Sequence, residues 1–179
     1  YSEKRTIYAA LLTPQGKYLH DFFISEINGT FYFDCEAKRI KDLYSRLNMF
    51  KLRSNVELEI DDKIKVIAIF GSSLDTVIKI KPTEGAAINI PGGILFCDPR
   101  LKEIGGRAIL NQDYLNTVIN KYELEPSTFE EFDSLRISLG LPDASRDLKI
   151  NKSILLESGF EELNGVDFNK GCYIGQELT

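Results

Sequence analysis

Apolar runs separated by turn residues predict β-strands in the first part of the chain. The runs at 4–12 and 18–24 flank the sequence TPQG at 13–16, in which proline fixes φ and glycine admits a positive φ. This pattern predicts a β-hairpin over 4–24. A third strand is expected at Thr30–Cys35, directly after an Asn-Gly turn.

The spacing of apolar residues changes after this point. Ile40, Leu43, Leu47 and Phe50 recur at three- and four-residue steps, which predicts a helix over 36–50. Further segments show weaker patterns of the same kinds. They predict strands at 56–60, 64–70, 88–90, 94–97 and 107–110, and helices at 112–124 and 127–139, followed by a turn-rich region at 141–179. Antiparallel strands with three helices indicate the α+β class.

The last predicted helix has a clear start and end. Ser127 and Glu130 form a capping-box pattern at its beginning, and Gly140 is a suitable residue just after its end. Phe129, Phe132 and Leu139 fall on one stripe of this helix, which we expect to face inward.

Composition narrows the possible functions. The 179 residues are 43% hydrophobic and 27% charged, as in ordinary soluble domains, and the net charge is −5. An acidic chain lacks the basic surface expected of a nucleic-acid binder, so no direct nucleic-acid partner is predicted. The longest apolar run, at 7–12, is too short for a transmembrane helix, so no membrane association is predicted.

The cysteines and the single histidine limit the metal chemistry. Cys35, Cys97 and Cys172 are 62 and 75 residues apart and form no CxxC pair, so we predict no self-contained zinc or iron–sulfur site. The odd number of cysteines favours a reducing compartment. His20 lies in a hairpin strand with alternating polarity, and we expect it at the surface or at a sheet edge.

The segment 169–177 carries the strongest chemical signal. Gly171 and Gly175 permit unusual backbone conformations and the close approach of a ligand. Cys172 follows Lys170 by two residues, and a nearby ammonium favours the thiolate and lowers the pKa of a thiol. The residues alone admit a reactive or ligand-binding thiol, or a buried structural cysteine in a tight turn, and spacing alone favours the latter.

The string KGCYIGQE at 170–177 resembles the signature of the YgfZ-type folate-binding proteins, a bacterial family related to a mitochondrial iron–sulfur cluster assembly factor. Other segments fit the same family in the same order, so the resemblance covers nearly the whole chain. These segments are LLTPQGK at 11–17, MFKLRS at 49–54, FCDPR at 96–100, GLP at 140–142 and GVDF at 165–168.

This resemblance implies a fold similar to the T protein of the glycine cleavage system, a tetrahydrofolate-dependent aminomethyltransferase. A folate-binding α+β domain over 1–179 is then expected, with two related halves, approximately 1–100 and 101–179, around a central pocket. The family's small C-terminal β-barrel would follow the signature, and it is missing from this sequence.

The function implied by the resemblance is that of a tetrahydrofolate-binding accessory factor. It would assemble or repair iron–sulfur clusters in client enzymes and support tRNA modification indirectly, with Cys172 and Lys170 as the catalytic residues. The implied location is the cytoplasm, or the mitochondrial matrix in a eukaryote. A folate-dependent aminomethyltransferase ranks second, because the T protein's asparagine–alanine and aspartate stretch is replaced by FGSS at 70–73. An inert folate-binding scaffold is the third interpretation.

Arg136 is the candidate for cofactor binding that has a physical argument of its own. It falls within the inward stripe of the helix at 127–139, where a guanidinium needs an anion. That anion could be the folate tail or an internal carboxylate such as Asp167. The resemblance adds signature residues to the tetrahydrofolate site: Gly171, Tyr173, Gly175, Gln176 and Glu177.

Two further segments have structural interpretations. Asp98-Pro99-Arg100 is expected to form a turn with a local ion pair between its two charged residues. The alternation of Phe31 and Phe33 with their polar neighbours is expected to reflect core packing more than stacking on a pterin ring.

Overall fold

The computed structural model describes residues 5–71 and 83–178. Its first sheet contains three antiparallel strands, β1 (Ile7–Leu12), β2 (Tyr18–Ile27) and β3 (Thr30–Cys35), in the order β1-β2-β3. The register pairs Ile7 with Ile24 and Phe22 with Cys35. The predicted hairpin and third strand are therefore confirmed, and β2 is the central strand of this sheet.

A second antiparallel sheet is built from the middle of the chain. It contains β4 (Ile64–Ile69), β5 (Ala87–Ile90), β6 (Gly93–Cys97) and β7 (Gly106–Asn111) in the order β4-β7-β6-β5. The prediction of strands in these four regions is confirmed. Since β7 joins strands that precede residue 100, this sheet crosses the boundary between the predicted halves 1–100 and 101–179, and that division stays a prediction.

One hydrophobic core connects the two sheets. Tyr8 and Phe23 from the first sheet pack with Ile94, Phe96 and Ile109 from the second sheet. A backbone hydrogen bond from Thr6 N to Gly85 O, 2.8 Å long, adds a direct link between the segments. The two sheets therefore share a buried interface. This interface holds the end of β3 and the start of β7 in place.

The described residues contain four α-helices, of which the first three follow the predicted pattern with shifted ends and the fourth, a single short turn, was not predicted. They are α1 (Ile40–Lys51), α2 (Leu115–Lys121), α3 (Phe129–Ser138) and α4 (Ala144–Asp147). Short 3₁₀ turns precede the first two, at Ala37–Arg39 and Gln112–Tyr114, because the chain tightens at the helix entrance. Among the described residues, no helix is long and apolar enough to cross a membrane.

The start of α3 differs by one residue from the prediction. Thr128, not Ser127, is the N-cap, and it shares a reciprocal capping box with Glu131. The predicted end is confirmed, since Gly140 follows the helix with φ +67°. Phe129 is 59% exposed, so its expected inward position is wrong, because the first turn extends beyond the core and the Arg146 guanidinium covers the ring at 4.8 Å.

The strand predicted at 56–60 is also wrong. These described residues form no regular structure, and Val56 and Ile60 are exposed. Acidic residues alternate with the apolar ones there, and β4 pairs with β7 instead of with this segment. The apolar residues at 56–60 therefore do not pack on a sheet.

Candidate functional site

Residues 169–178, which contain the signature string, form a compact loop against the β1–β2 turn, and we call it the signature loop. Gly175 has φ +86° and lies against the turn backbone, where an added Cβ would come within 2.5 Å of Thr13 O. The Gln176 side chain accepts a hydrogen bond from Tyr173 N at 3.2 Å. These two predicted cofactor residues therefore stabilise the loop itself.

Cys172 is exposed in this loop. The interpretation as a buried structural cysteine, which spacing alone favoured, is therefore wrong. The ammonium of Lys170 lies 5.2 Å from the centre of the Tyr173 ring, so the lysine contacts the aromatic neighbour of the cysteine. Gly171 and Glu177 are exposed beside it.

An apolar cavity of about 380 Å³ adjoins the loop, and we call it the signature cavity. Its size falls in the range of roughly 300–1,000 Å³ that is typical of small-molecule sites. Lys170, Tyr173 and Ile174 contribute from the loop, and Cys172 is not among the described lining residues. The other walls come from β1, the end of α1 and the segment before the signature: Ala9, Ala10, Leu11, Leu12, Leu47, Phe50, Leu155, Gly165, Val166 and Asp167.

A second cavity of about 240 Å³ contains the arginines, and we call it the arginine cavity. It is rich in both charges and aromatic rings. Its charged walls are Asp21, Asp34, Glu36, Arg100, Arg107, Arg136 and Asp143, and its aromatic walls are Phe22, Phe23 and Phe132. The remaining walls include the Cys35 side chain and residues at the start of α4.

Two guanidinium groups of the arginine cavity contact the same ring. Arg100 and Arg107 lie 4.8 and 4.6 Å from the centre of Phe23. Arg100 donates to both carboxylate oxygens of Asp98 at 3.0 and 2.8 Å, which confirms the predicted local pair. Arg107 donates to Asp34 on β3 at 3.0 and 2.6 Å. Aspartates therefore fix both cations on an aromatic surface.

Arg136 is buried, as its position in the helix stripe predicted. Its Nε and Nη1 donate to Asp133 at 2.5 Å and to Asp147 at 2.9 Å, and Nη1 also donates to Leu141 O at 3.1 Å. The internal partners are thus Asp133 and Asp147, in place of the suggested Asp167. Within the described residues these bonds use three of the five N–H donors of the guanidinium.

Buried phenols lie behind the arginine cavity. The carboxylate of Asp21 accepts hydrogen bonds from the hydroxyls of Tyr8 at 2.9 Å and Tyr18 at 2.8 Å. Burial and the Asp21 charge raise the pKa of both phenols above the ordinary value of 10.0. The phenols therefore stay protonated and donate to Asp21.

Other residues of this region differ from the sequence predictions. His20 is 2% exposed, and its Nε2 lies 2.7 Å from Asp42 Oδ2, so the expected surface position is wrong. The reason is that β2 is the central strand and the Asp42 side chain of α1 contacts the ring at this point. Phe31 is 54% exposed, so the core-packing interpretation is wrong for this residue, whereas the partly exposed Phe33 ring packs on the buried Phe22 ring at 5.2 Å and Tyr32 packs against the main core.

The chain was compared with family models, curated proteins and solved structures. No family model matches the chain. The chain is 32% identical to a Homo sapiens protein named iron–sulfur cluster assembly factor IBA57, mitochondrial, over 98% of this chain and 49% of that protein. It is 28% identical to the Neurospora crassa homologue, over 96% of this chain and 40% of that protein. The chain is thus similar in sequence to IBA57 proteins over nearly its whole length.

A solved structure has a similar fold. It is similar to the glycine cleavage system aminomethyltransferase T from Bartonella henselae, with a TM-score of 0.61 and 15% identity over 79% of this chain and 42% of that chain. At this identity the similarity establishes the fold alone, and it agrees with the observed mixture of helices and antiparallel strands. The chain spans about half the length of the curated relatives that it matches.

In the structure, the predicted site residues fall into two groups. Arg136 lines the arginine cavity, whereas Lys170 and Tyr173 line the signature cavity. Sequence reasoning identified both groups but placed them in one site. It missed the ion pair of Arg107 and Asp34, because the two residues lie on different strands and no local spacing indicates them. It also missed Asp21, which accepts from Tyr8 on β1 and from Tyr18 on its own strand.

Proposed function

We propose that this chain is an accessory factor that assembles or repairs iron–sulfur clusters in client enzymes. The names of the IBA57 relatives support this role, because the matched region covers nearly the whole chain. The observation that carries the proposal is the exposed Cys172 thiol, held in a signature loop that contacts the protein through its neighbouring residues.

The other two cysteines are poor candidates for this role. Burial raises the pKa of Cys35 and of Cys97 to about 11, so both remain neutral thiols at physiological pH. Cys97 is also buried in β6. Conventional iron–sulfur clusters use four cysteine ligands, so a single thiol on this chain would share the cluster with ligands of the client.

Tetrahydrofolate is the proposed cofactor, and the arginine cavity fits its chemical groups. A pterin ring needs aromatic walls and a carboxylate edge, which Phe22, Phe132 and Asp34 supply. The anionic tail needs a cation, and Arg136 would provide it. The volume of about 240 Å³ suits a ring system more than a whole folate molecule. When bound, the cofactor would supply a carrier for one-carbon groups.

The proposed role also has consequences for tRNA modification and for the location of the protein in the cell. A role in tRNA modification would be indirect, through clusters of the modifying enzymes, and the location would be the mitochondrial matrix in a eukaryote or the cytoplasm in a bacterium. Aminomethyl transfer stays the second-ranked alternative. Its expected carboxylate stretch corresponds to 70–73, of which residues 72 and 73 lie outside the described residues.

The test is complementation of cells that lack their own copy of the protein. The Cys172→Ala variant is expected to fold normally, since the side chain is exposed, and to reduce the activity of a cluster-dependent enzyme to the level of the deletion. The measurement is the specific activity of that enzyme in cell extracts, with equal amounts of each variant verified by immunoblot.

Cys97→Ala is the matched control, because it removes a buried thiol with a raised pKa that lines neither cavity. This control should restore at least about half of the wild-type enzyme activity. Full rescue by Cys172→Ala would reject the proposed role of the thiol, and an equal loss in the Cys97→Ala variant would show that cysteine removal acts through stability.

A further inference from the structure

The signature loop and the β1–β2 turn meet through two glycines. Gly16 has φ +69°, and Gly175 has φ +86°. A Cβ added to Gly175 would lie 2.5 Å from Thr13 O and 3.0 Å from Gly16 Cα, and one added to Gly16 would lie 3.0 Å from Gly175 O. The two backbones are therefore too close for any side chain between them.

The turn at 13–16 is a rigid surface for this contact. Thr13 N donates to Lys17 O at 2.8 Å, and Gly16 N donates to Thr13 O at 3.0 Å. The Thr13 hydroxyl oxygen accepts from Gln15 N at 3.2 Å and from Lys17 N at 3.1 Å. Four hydrogen bonds thus stabilise this short turn, which joins β1 and β2 of the first sheet.

The loop is closed on its other side by local bonds. Tyr173 N donates to the Gln176 side chain, and Gln176 N donates to Tyr173 O at 3.2 Å. The Tyr173 side chain packs against the main hydrophobic core. Cys172 immediately precedes the segment 173–176 that these bonds close. The contact of this segment with the turn at 13–16 therefore determines where the exposed Cys172 side chain lies.

The other glycine of the signature has a different environment. A Cβ added to Gly171 would meet nothing within 4 Å, and the φ of this residue is not positive. Alanine should therefore be accommodated at Gly171 without strain, whereas at Gly175 it would both clash and require an unfavourable backbone conformation.

We propose that the turn at 13–16 holds the signature loop in place, and that Gly16 and Gly175 are positioning residues for the Cys172 thiol. This inference rests on the proposed role of Cys172 for its functional meaning, but the contact itself can be tested without it. The sequence motifs LLTPQGK and KGCYIGQE would then be two sides of one structural unit.

The direct test uses a nitroxide spin label on Cys172, with single labelling verified by mass spectrometry. The electron paramagnetic resonance spectrum of the wild type should show a restricted label. Gly175→Ala should shift it to a mobile spectrum like that of a labelled peptide of residues 169–178, while the cooperative thermal transition is retained. Gly171→Ala is the matched control and should leave the spectrum unchanged.

A second variant guards against misfolding of Gly175→Ala. Thr13→Val removes two hydrogen bonds of the turn without adding a side chain to the contact, and it should mobilise the label partly. An unchanged restricted spectrum in folded Gly175→Ala and in Thr13→Val would overturn the inference.

Complementation then tests the functional meaning. Gly175→Ala should lose most of the support for the cluster-dependent enzyme, at least about fivefold relative to the wild type. Normal support by Gly175→Ala with a mobile label would overturn the positioning role. If Cys172→Ala rescues fully, the proposed function fails, but the spectra still decide whether the turn holds the loop.

Discussion

His20 shows how one residue links the central strand to a helix. The imidazole is buried in β2, and its Nε2 contacts the Asp42 carboxylate of α1 at 2.7 Å. Arg46 donates to the same oxygen at 2.8 Å, and Arg39 is the other charged group near the ring. Burial lowers the pKa of His20 below its ordinary 6.5, although the bond to Asp42 opposes this effect.

Protein stability should therefore depend on pH through His20. The unfolded chain takes up the proton near pH 6.5, before the folded protein does, so the free energy of unfolding should fall as the pH drops below 6.5. We expect urea midpoints to decrease from pH 7.5 to 5.5 in the wild type. The His20→Gln variant should start lower and change less over this range.

Asp42→Asn is the informative control for this prediction. It removes the carboxylate that raises the pKa of His20, so the dependence between pH 7.5 and 5.5 should become steeper. Hydrogen bonds from Arg46 and His20 lower the pKa of Asp42 itself, whose contribution is lost only as the pH falls below 3.8. Equal slopes in wild type and His20→Gln would contradict the assignment to His20.

At the scale of elements, the start of α3 shows the limit of a sequence pattern. The string STFEE contains two overlapping capping boxes, one from Ser127 to Glu130 and one from Thr128 to Glu131. The structure uses the second, with Thr128 Oγ1 accepting from Glu131 N at 3.2 Å. Local sequence cannot choose between them, because the choice depends on how the helix meets Arg146 and α4.

Thr128→Ala is predicted to lower the free energy of unfolding by about 1 kcal/mol, the usual effect of removing an N-cap oxygen. Ser127→Ala is the matched control, and it should change stability by less than about 0.5 kcal/mol, since its hydroxyl donates to the exposed Glu131 side chain. Urea denaturation at pH 7.5 measures both. A larger effect of Ser127→Ala would contradict the cap assignment.

The strands were predicted better than the contacts between them. Turn residues and apolar runs are local, so the hairpin of β1 and β2 and the helix α1 follow from sequence. The Arg107–Asp34 pair joins residues 73 positions apart, and no spacing rule indicates it. The same limitation explains why Arg136 and the signature loop were placed in one site, although they line different cavities.

For the whole molecule, the proposed folate site in the arginine cavity has a rival in the signature cavity. The arginine cavity combines aromatic rings, carboxylates and three guanidinium groups, whereas the signature cavity is larger and mainly apolar. Arg136 contacts the first and Lys170 the second. Since both cations could pair with an anionic tail, removing each one separately distinguishes the two sites.

Calorimetric titration with tetrahydrofolate should give tight binding to the wild type and weaker binding to Arg136→Met. The loss of a charge-assisted hydrogen bond, about 1.5–3 kcal/mol, corresponds to roughly a 10- to 150-fold weaker affinity. Lys170→Met should bind as the wild type does. Arg146→Met is the control for stability, because it breaks pairs with Asp133 and Asp143 in the same ion network without lining the cavity. The reverse result, with Lys170→Met impaired and Arg136→Met unaffected, would transfer the folate site to the signature cavity beside Cys172.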